Sequence, residues 1–475
     1  MNIIRENTFR KINLFNRESF FIKETDYSFS NEKLSEIQTA LSEKKLISSR
    51  YNILKSFLDN RTVIINTLYD SIVILNHTEA QYLENVNRSS VLNDTVAKLY
   101  LLGILVDETE DELFYTNVQA EELYINKNGI PSVTILPTQI CNARCAYCFV
   151  EHNKKVTMND STIQEVICFF KKNFKEGERV LLRWFGGEPL VAKDIISQII
   201  EGIDEAFNKK LIYESLLFTN GSLLTDEIIK TAKEKWHLKK IQLTLDGYGK
   251  EHNRRKNYTA RGIDYYKKTI DDIAKLLDKD ICVDCRVNFD KDNIKQIDDI
   301  LKDLSPYKSN VMFRPRLTVL RPTDCGFDQF NYITPSDLKW AYNIIYTKLY
   351  EYGFLRSVDS LVPYCKKEGC IAKSINKVII GADGKLYKCL QQVFDTKHAV
   401  GDLKNGITEQ TFIENYCRKC IEPECRECIY LPICSGGCLS YRDLAEIMDI
   451  SPCVREKYFT DMLLDMIHDW TNPIK

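Results

Sequence analysis

Between about residues 130 and 325 the chain repeats one alternation six times, a short apolar β-branched run followed by an amphipathic helical stretch. The runs are "SVTILPT", "RVLLRWFG", "ESLLFTNG", "KIQLTLDG", "ICVDCRVNF" and "NVMFRPRLTVL"; stretches such as "STIQEVICFFKKNF" and "KDIISQIIEGIDEAF" lie between them. Six such units imply an α/β fold with a parallel sheet and right-handed crossovers, either open or closed into a barrel. In sheets of this kind chemistry collects beyond the C-terminal strand ends. Each unusual loop falls there: cysteines after "SVTILPT", Gly-Gly-Glu after "LLRWF", Asn-Gly after "LLFT" and Asp-Gly after "IQLTL".

The rest of the chain is organised around cysteine. Seventeen occur, none before Cys141 and nine from Cys365 to Cys438. The opening "MNIIRENTFRKINLF" has no apolar segment ahead of a small-residue cleavage site, and no run of eighteen apolar residues occurs. Neither a secretory signal nor a membrane span is expected, which places the chain in the cytoplasm. In that reducing compartment, thiols at this density and so clustered signal metal ligation rather than disulfides. A formal net charge of −2 leaves no basic footprint for nucleic acid. At 475 residues the chain exceeds one core, and two to four domains are expected.

Cys141, Cys145 and Cys148 stand in "TQICNARCAYCFVE", a C-x3-C-x2-C loop after a strand. Here the chain resembles the radical S-adenosylmethionine superfamily. Three thiolates in a compact loop hold three irons of a cubane and leave the fourth open. The resemblance implies that S-adenosylmethionine chelates that iron and is cleaved to a 5′-deoxyadenosyl radical. It also makes Tyr147 the adenine-side contact. Gly186, Gly187, Glu188 and Pro189 ("GGEP") fall where the family holds the methionine amino group, with glycine admitting close backbone approach. Thr219, Asn220 and Gly221, then Asp246 and Gly247, occupy later strand ends, and Arg286 and Asn288 are implied for the ribose and carboxylate. Asp246 is also a candidate general acid or base, a hydrogen-bonding turn aspartate being the alternative.

A second cysteine set resembles the SPASM domain of peptide- and protein-modifying radical enzymes. From Cys370, thirteen residues lead to Gly384 and four more to Cys389; then come Cys425-x2-Cys428-x5-Cys434-x3-Cys438 and, later, Cys453. The resemblance implies two auxiliary [4Fe–4S] clusters, making three in all. One uses Cys370, Cys389 and Cys438, with Cys365 as the expected fourth ligand or an open iron in its place. The other uses Cys425, Cys428, Cys434 and Cys453. Zinc is the alternative that CxxC pairs alone would favour. Cys417 and Cys420 fall outside the pattern, and Cys168, Cys282, Cys285 and Cys325 are expected to be buried thiols.

The expected organisation is therefore an N-terminal extension of unread role (1–49), a winged-helix-like module (50–125), a partial (β/α)6 barrel (130–325) and an iron–sulfur SPASM domain (326–475) whose metal staples replace a core. In the module, "RTVIINTLYDSIVILN" reads as two strands about a turn, "SSVLNDTVAKLYLLGILV" as a helix, and "DETEDELFYT" as an acidic turn entering a strand. It resembles the precursor-recognition element of ribosomal-peptide maturases, which pairs a strand edge with a leader peptide. A precursor peptide is thus the expected partner, with an external flavodoxin- or ferredoxin-type electron donor, no nucleic acid and no membrane. The leading product is a thioether between a cysteine sulfur and a carbon of another residue. The motifs equally admit C–C cross-linking, epimerisation, a sulfatase-maturing enzyme that forms formylglycine, or a non-catalytic iron–sulfur scaffold.

Overall fold

A computed structural model describes residues 2–5, 35, 38–39, 41–42, 44–85, 93–116, 131–150, 155–320, 331–355, 370–412, 423–447, 451, 453 and 455–471. Cys325, Cys365, Cys417 and Cys420 lie outside the described residues, as does most of the N-terminal extension.

The N-terminal module is built on an antiparallel sheet. β1 (Asn2–Arg5) is followed by β2 (Leu46–Ser48), β3 (Asn52–Ser56), β4 (Thr62–Asn66), β5 (Ser71–Leu75) and β6 (Leu105–Asp107). The sheet order is β1-β5-β4-β3, while β2 and β6 pair separately. The expected turn is present. The Asn66 side chain accepts from the N–H groups of Leu68 and Tyr69, and Asp70 takes the left-handed conformation that short polar residues tolerate. Helices His77–Asn85 and Asp94–Leu101 cover one face, burying Ile64, Val73 and Leu75. The other face, with Val63, Ile65, Ile72 and Ile74, joins the main core alongside Phe459, Leu463 and Ile467 near the C-terminus.

Three expectations change here. The helix does not run through "GILV": Gly103, at φ +71°, ends it, with its N–H on Tyr100 O and that of Ile104 on Leu99 O, and β6 follows. "FYT" is not strand. Residues 112–116 are helical, started by Asp111, whose carboxylate accepts from Phe114 N at 2.9 Å. The module also reaches back before residue 50, because Leu41 and Leu46 fill its core and β1 pairs with β5.

The six predicted runs are β7 (Ser132–Ile135), β8 (Arg179–Trp184), β9 (Ile212–Phe218), β10 (Leu238–Leu245), β11 (Cys282–Phe289) and β12 (Phe313–Val319). Every neighbouring pair is parallel and in chain order, as right-handed βαβ units require. Helices Asp160–Asn173, Asp226–Glu234 and Tyr265–Asp278 start on Asn159, Thr225 and Asp264, whose side chains accept the orphan N–H groups of the first turn. Cys168 lies on the outer face of the first of these, opposite Ile163, Val166 and Phe170, and is exposed rather than buried. Cys285 is buried in β11, and Cys282 is partly so.

The sheet does not stop where the barrel was expected to. β13 (Lys377–Ile380) runs parallel to β7 on its free side, and β14 (Lys385–Tyr387), β15 (Gly401–Asp402) and β16 (Gly406–Ile407) continue antiparallel. Val378, Ile380, Leu386 and Val400 belong to the barrel's own core. This part of the C-terminal region therefore shares a core rather than depending on metal alone.

Candidate active site at the C-terminal strand ends

The loops after β7 to β10 and the ends of β11 and β12 close around a cavity of about 460 Å³. Cys141, Cys145 and Cys148 all line it, the only cysteines that do so among the described residues. Gly186 and Gly187, after β8, hold the chain against the approach to this loop. Gly187 N donates to Thr138 O at 3.1 Å and Glu188 N to Ile140 O at 2.9 Å. A Cβ on Gly187 would stand 2.4 Å from the carbonyl oxygens of both Gln139 and Ile140. Those atoms are backbone and cannot swing aside. Gly187→Ala is therefore expected to cost about 1–3 kcal/mol and to displace Cys141, seen as a lower urea midpoint and fewer irons bound per chain.

Glu188 and Pro189 do not line the cavity. Glu188 is 1% exposed, and its carboxylate accepts from Thr219 Oγ1 at 2.7 Å, Asn220 N at 2.8 Å and Leu190 N at 3.1 Å. Burial pushes its carboxyl up despite these donors. Its geometric role is to tie the β8 loop to the Thr219–Asn220 turn. Asn220 in turn donates to Asn142 Oδ1 at 2.9 Å, inside the cysteine loop.

Asp246 is also off the cavity wall and wholly buried. It accepts from the Tyr147 hydroxyl and from Asn288 Nδ2 at 2.9 Å, and it pairs with Lys256 Nζ at 3.1 Å. Burial favours the neutral acid, but the Lys256 ammonium reverses this and holds the carboxyl below its usual range. Lys256 was not anticipated. It is 4% exposed, it lines the cavity, and its carbonyl accepts from Arg144 N at 2.9 Å within the cysteine loop. His252, four residues earlier on the same helix face, accepts from Asp246 N and is kept neutral by burial, its pKa falling to about 3. The "HNRRK" run after Asp-Gly carried this signal, but nothing local distinguishes a buried lysine from a solvated one.

Arg286 and Asn288 both line the cavity, with Arg286 Nε donating to Asn288 Oδ1 at 2.9 Å. Phe149, Phe185 and Phe218 pack together as an apolar part of the lining, to which Tyr342 and Gln391 also contribute. Gln391 follows Cys389 by two residues, so the cavity reaches from the first cysteine loop to the C-terminal cysteine region. Cys370, Cys389 and Cys438 stand near one another there; burial first, and the neighbouring thiols after it, push Cys389 up to about 12. Cys453 and Cys428 share the neighbourhood of Lys457, and Cys425 lies under Arg442.

Residues 135–304, from β7 to the helix before β12, match the model of the Radical SAM superfamily. These residues form a radical SAM domain. Radical SAM cyclopropyl synthase TigE of Paramaledivibacter caminithermalis is 25% identical over 213 residues, 41% of this chain and 42% of that protein. The cysteine-type anaerobic sulfatase-maturating enzyme of Clostridium perfringens is 24% identical over 371 residues, 70% of this chain and 96% of that protein. The chain thus spans less than half the first relative and nearly all of the second. The solved structure of native anSMEcpe with bound AdoMet superposes with a TM-score of 0.55 at 20% identity, covering 72% of this chain and all of that one. That likeness concerns the fold.

A radical SAM domain takes a [4Fe–4S] cluster and S-adenosylmethionine, and the residues present fit both. Burial pushes the Cys141 thiol up to about 11 and that of Cys145 up to about 12. Such thiols ionise only when a metal supplies the compensating charge. Among the described residues no three His, Cys, Asp or Glu side chains converge as a single ion demands; cubane thiolates each hold a different iron and stand farther apart. No described helix is long and apolar enough to cross a membrane.

Proposed function

We propose that the chain is a radical S-adenosylmethionine peptide maturase. The observation that carries the reading is the cavity lined both by the three-cysteine loop and by Gln391, two residues from Cys389. It has room for a peptide side chain between two cysteine sites. When bound, the cluster and S-adenosylmethionine supply a 5′-deoxyadenosyl radical. Cys141, Cys145 and Cys148 hold three irons, and Gly186 and Gly187 bring main chain close to the methionine end. Arg286 and Asn288 orient ribose and carboxylate, and Tyr147 is fixed by Asp246 and Lys256. In this reading Asp246 is a positioning residue rather than an acid or base. Phe149, Phe185 and Phe218 keep water from the reacting atoms.

The remaining assignments belong to the same proposal. Cys365, Cys370, Cys389 and Cys438 hold one auxiliary cluster, and Cys425, Cys428, Cys434 and Cys453 the other. An external flavodoxin- or ferredoxin-type protein supplies the starting electron. The N-terminal module binds the leader of a precursor peptide along a sheet edge, where main-chain hydrogen bonds give affinity. Two features support this: β3 pairs on one side only among the described residues, and the β5 edge already accepts β1 as an added strand. The product we favour is a thioether.

A second reading has its own support. The sulfatase-maturating relative aligns over nearly its whole length, which favours formylglycine formation in a protein substrate. Mass spectrometry after anaerobic incubation with a candidate cysteine-containing peptide separates the two. A thioether removes two hydrogens and keeps the sulfur; formylglycine loses the sulfur; epimerisation changes no mass. A reconstituted protein that yields no 5′-deoxyadenosine with reductant would leave only the scaffold reading.

A further inference from the structure

The two C-terminal cysteine sets differ in their electrostatic surroundings. Arg442, on the helix Leu439–Ile447, donates from Nη2 to Cys425 Sγ at 3.2 Å. Its Nε donates to Gly436 O at 2.6 Å, which fixes the guanidinium against the loop that follows Cys434. Lys457 Nζ lies 3.8 Å from Cys453 Sγ, with Cys428 also in its field. Two cations thus sit on the thiols of one set. At Cys370, Cys389 and Cys438, no cationic side chain contacts a thiol among the described residues. Lys388, adjacent to Cys389 in sequence, turns its ammonium to the carbonyls of Ser374 and Lys377 instead.

Hydrogen bonds to cluster sulfurs and nearby positive charge stabilise the reduced, more negative cluster and so raise its potential. We propose that Arg442 and Lys457 raise the reduction potential of a cluster held by Cys425, Cys428, Cys434 and Cys453 above that of a cluster held by Cys370, Cys389 and Cys438. This rests on the two auxiliary sites of the proposed function. Position gives the difference a direction. Cys389 is two residues from Gln391 on the cavity wall, whereas Cys425, Cys428, Cys434 and Cys453 do not line the cavity. Clusters held at the two sites would then draw an electron leaving the substrate away from the Cys389 site, where no cation contacts a thiol among the described residues, toward the site under Arg442 and Lys457. For a thioether the balance is complete. Transfer of a hydrogen atom to the 5′-deoxyadenosyl radical leaves a carbon radical; C–S bond formation then releases the thiol proton to solvent and one electron to an oxidised [4Fe–4S] cluster.

The test is a redox titration of the anaerobically reconstituted full chain, followed by electron paramagnetic resonance, comparing the parent with Arg442→Met, Lys457→Met and Arg442→Lys. The auxiliary signal of highest potential, identified by its loss in Cys425→Ala, is expected to move to lower potential in both Met variants. Arg442→Lys should recover part of the shift, and the other two potentials should stay in place. Unmoved potentials, or a shift confined to another cluster, would overturn the proposal. Lys457 is exposed, so its variant answers the question even if Arg442→Met loses iron. A parent chain with about four irons rather than about twelve would overturn the auxiliary sites themselves, and the iron analysis tells that failure from the first.

Discussion

Replacing Cys141, Cys145 and Cys148 together by Ala is expected to abolish S-adenosylmethionine cleavage, with 5′-deoxyadenosine falling to background. The argument is geometric. These three thiols are the only ones on the cavity wall among the described residues, so no neighbouring cysteine stands ready to replace them. Their loop is held from outside itself, by the Gly187 and Glu188 N–H bonds to Thr138 O and Ile140 O, by Asn220 and by the Lys256 carbonyl. The variant should therefore keep its fold, and iron should fall from about twelve to about eight per chain if both auxiliary sites fill. Cleavage that survives the triple replacement would sink the assignment of this loop. Loss of nearly all iron would show instead that the sites do not assemble independently.

Lys256→Met is expected to have the largest effect on stability of any single change at the site. It removes the cation from a carboxylate with no access to water, and breaking a buried pair in this way costs about 3–5 kcal/mol. Asp246 would be left with the Tyr147 hydroxyl and Asn288 amide as its side-chain donors. Urea unfolding under anaerobic conditions measures the loss. The double variant Asp246→Asn with Lys256→Met should recover much of it, because no uncompensated charge then remains. A double variant as unstable as Lys256→Met would mean that the lysine acts through its packing or its contact with the cysteine loop. Because the Lys256 ammonium also donates to the Tyr147 hydroxyl, inside the cysteine loop, at 3.3 Å, the single variant should also bind the first cluster less firmly.

Local pattern was enough for the parallel sheet. Six β-branched runs separated by amphipathic helices leave little choice of topology, since βαβ handedness and chain order then place the loops at one end. Asn159, Thr225 and Asp264 supply the side-chain caps at three of the helix starts. Errors arose where a distant partner outweighed local preference. "GILV" looks like the end of a helix until Gly103 turns the chain so that β6 can pair with β2. Cys168 is a different case: its helical context suggests burial, but the helical period itself puts it on the face away from Ile163, Val166 and Phe170.

The candidate site divides along the same line. Spacing alone marked Cys141, Cys145 and Cys148, because ligands to one cluster in one loop must lie close in the chain. It likewise marked the glycine, asparagine and aspartate turns after successive strands. It did not reveal which of those residues face the cavity. Glu188 and Asp246 sit at the right strand ends, yet both turn inward to satisfy buried donors, while Gln391 and Tyr342 reach the wall from outside the barrel repeat. Lys256 appeared no different from its solvated neighbours until folding set it against Asp246. Chain order thus settled where the chemistry collects. Which side chains meet there depended on long-range packing, because a charge can be buried only where a partner far away in sequence arrives to compensate it.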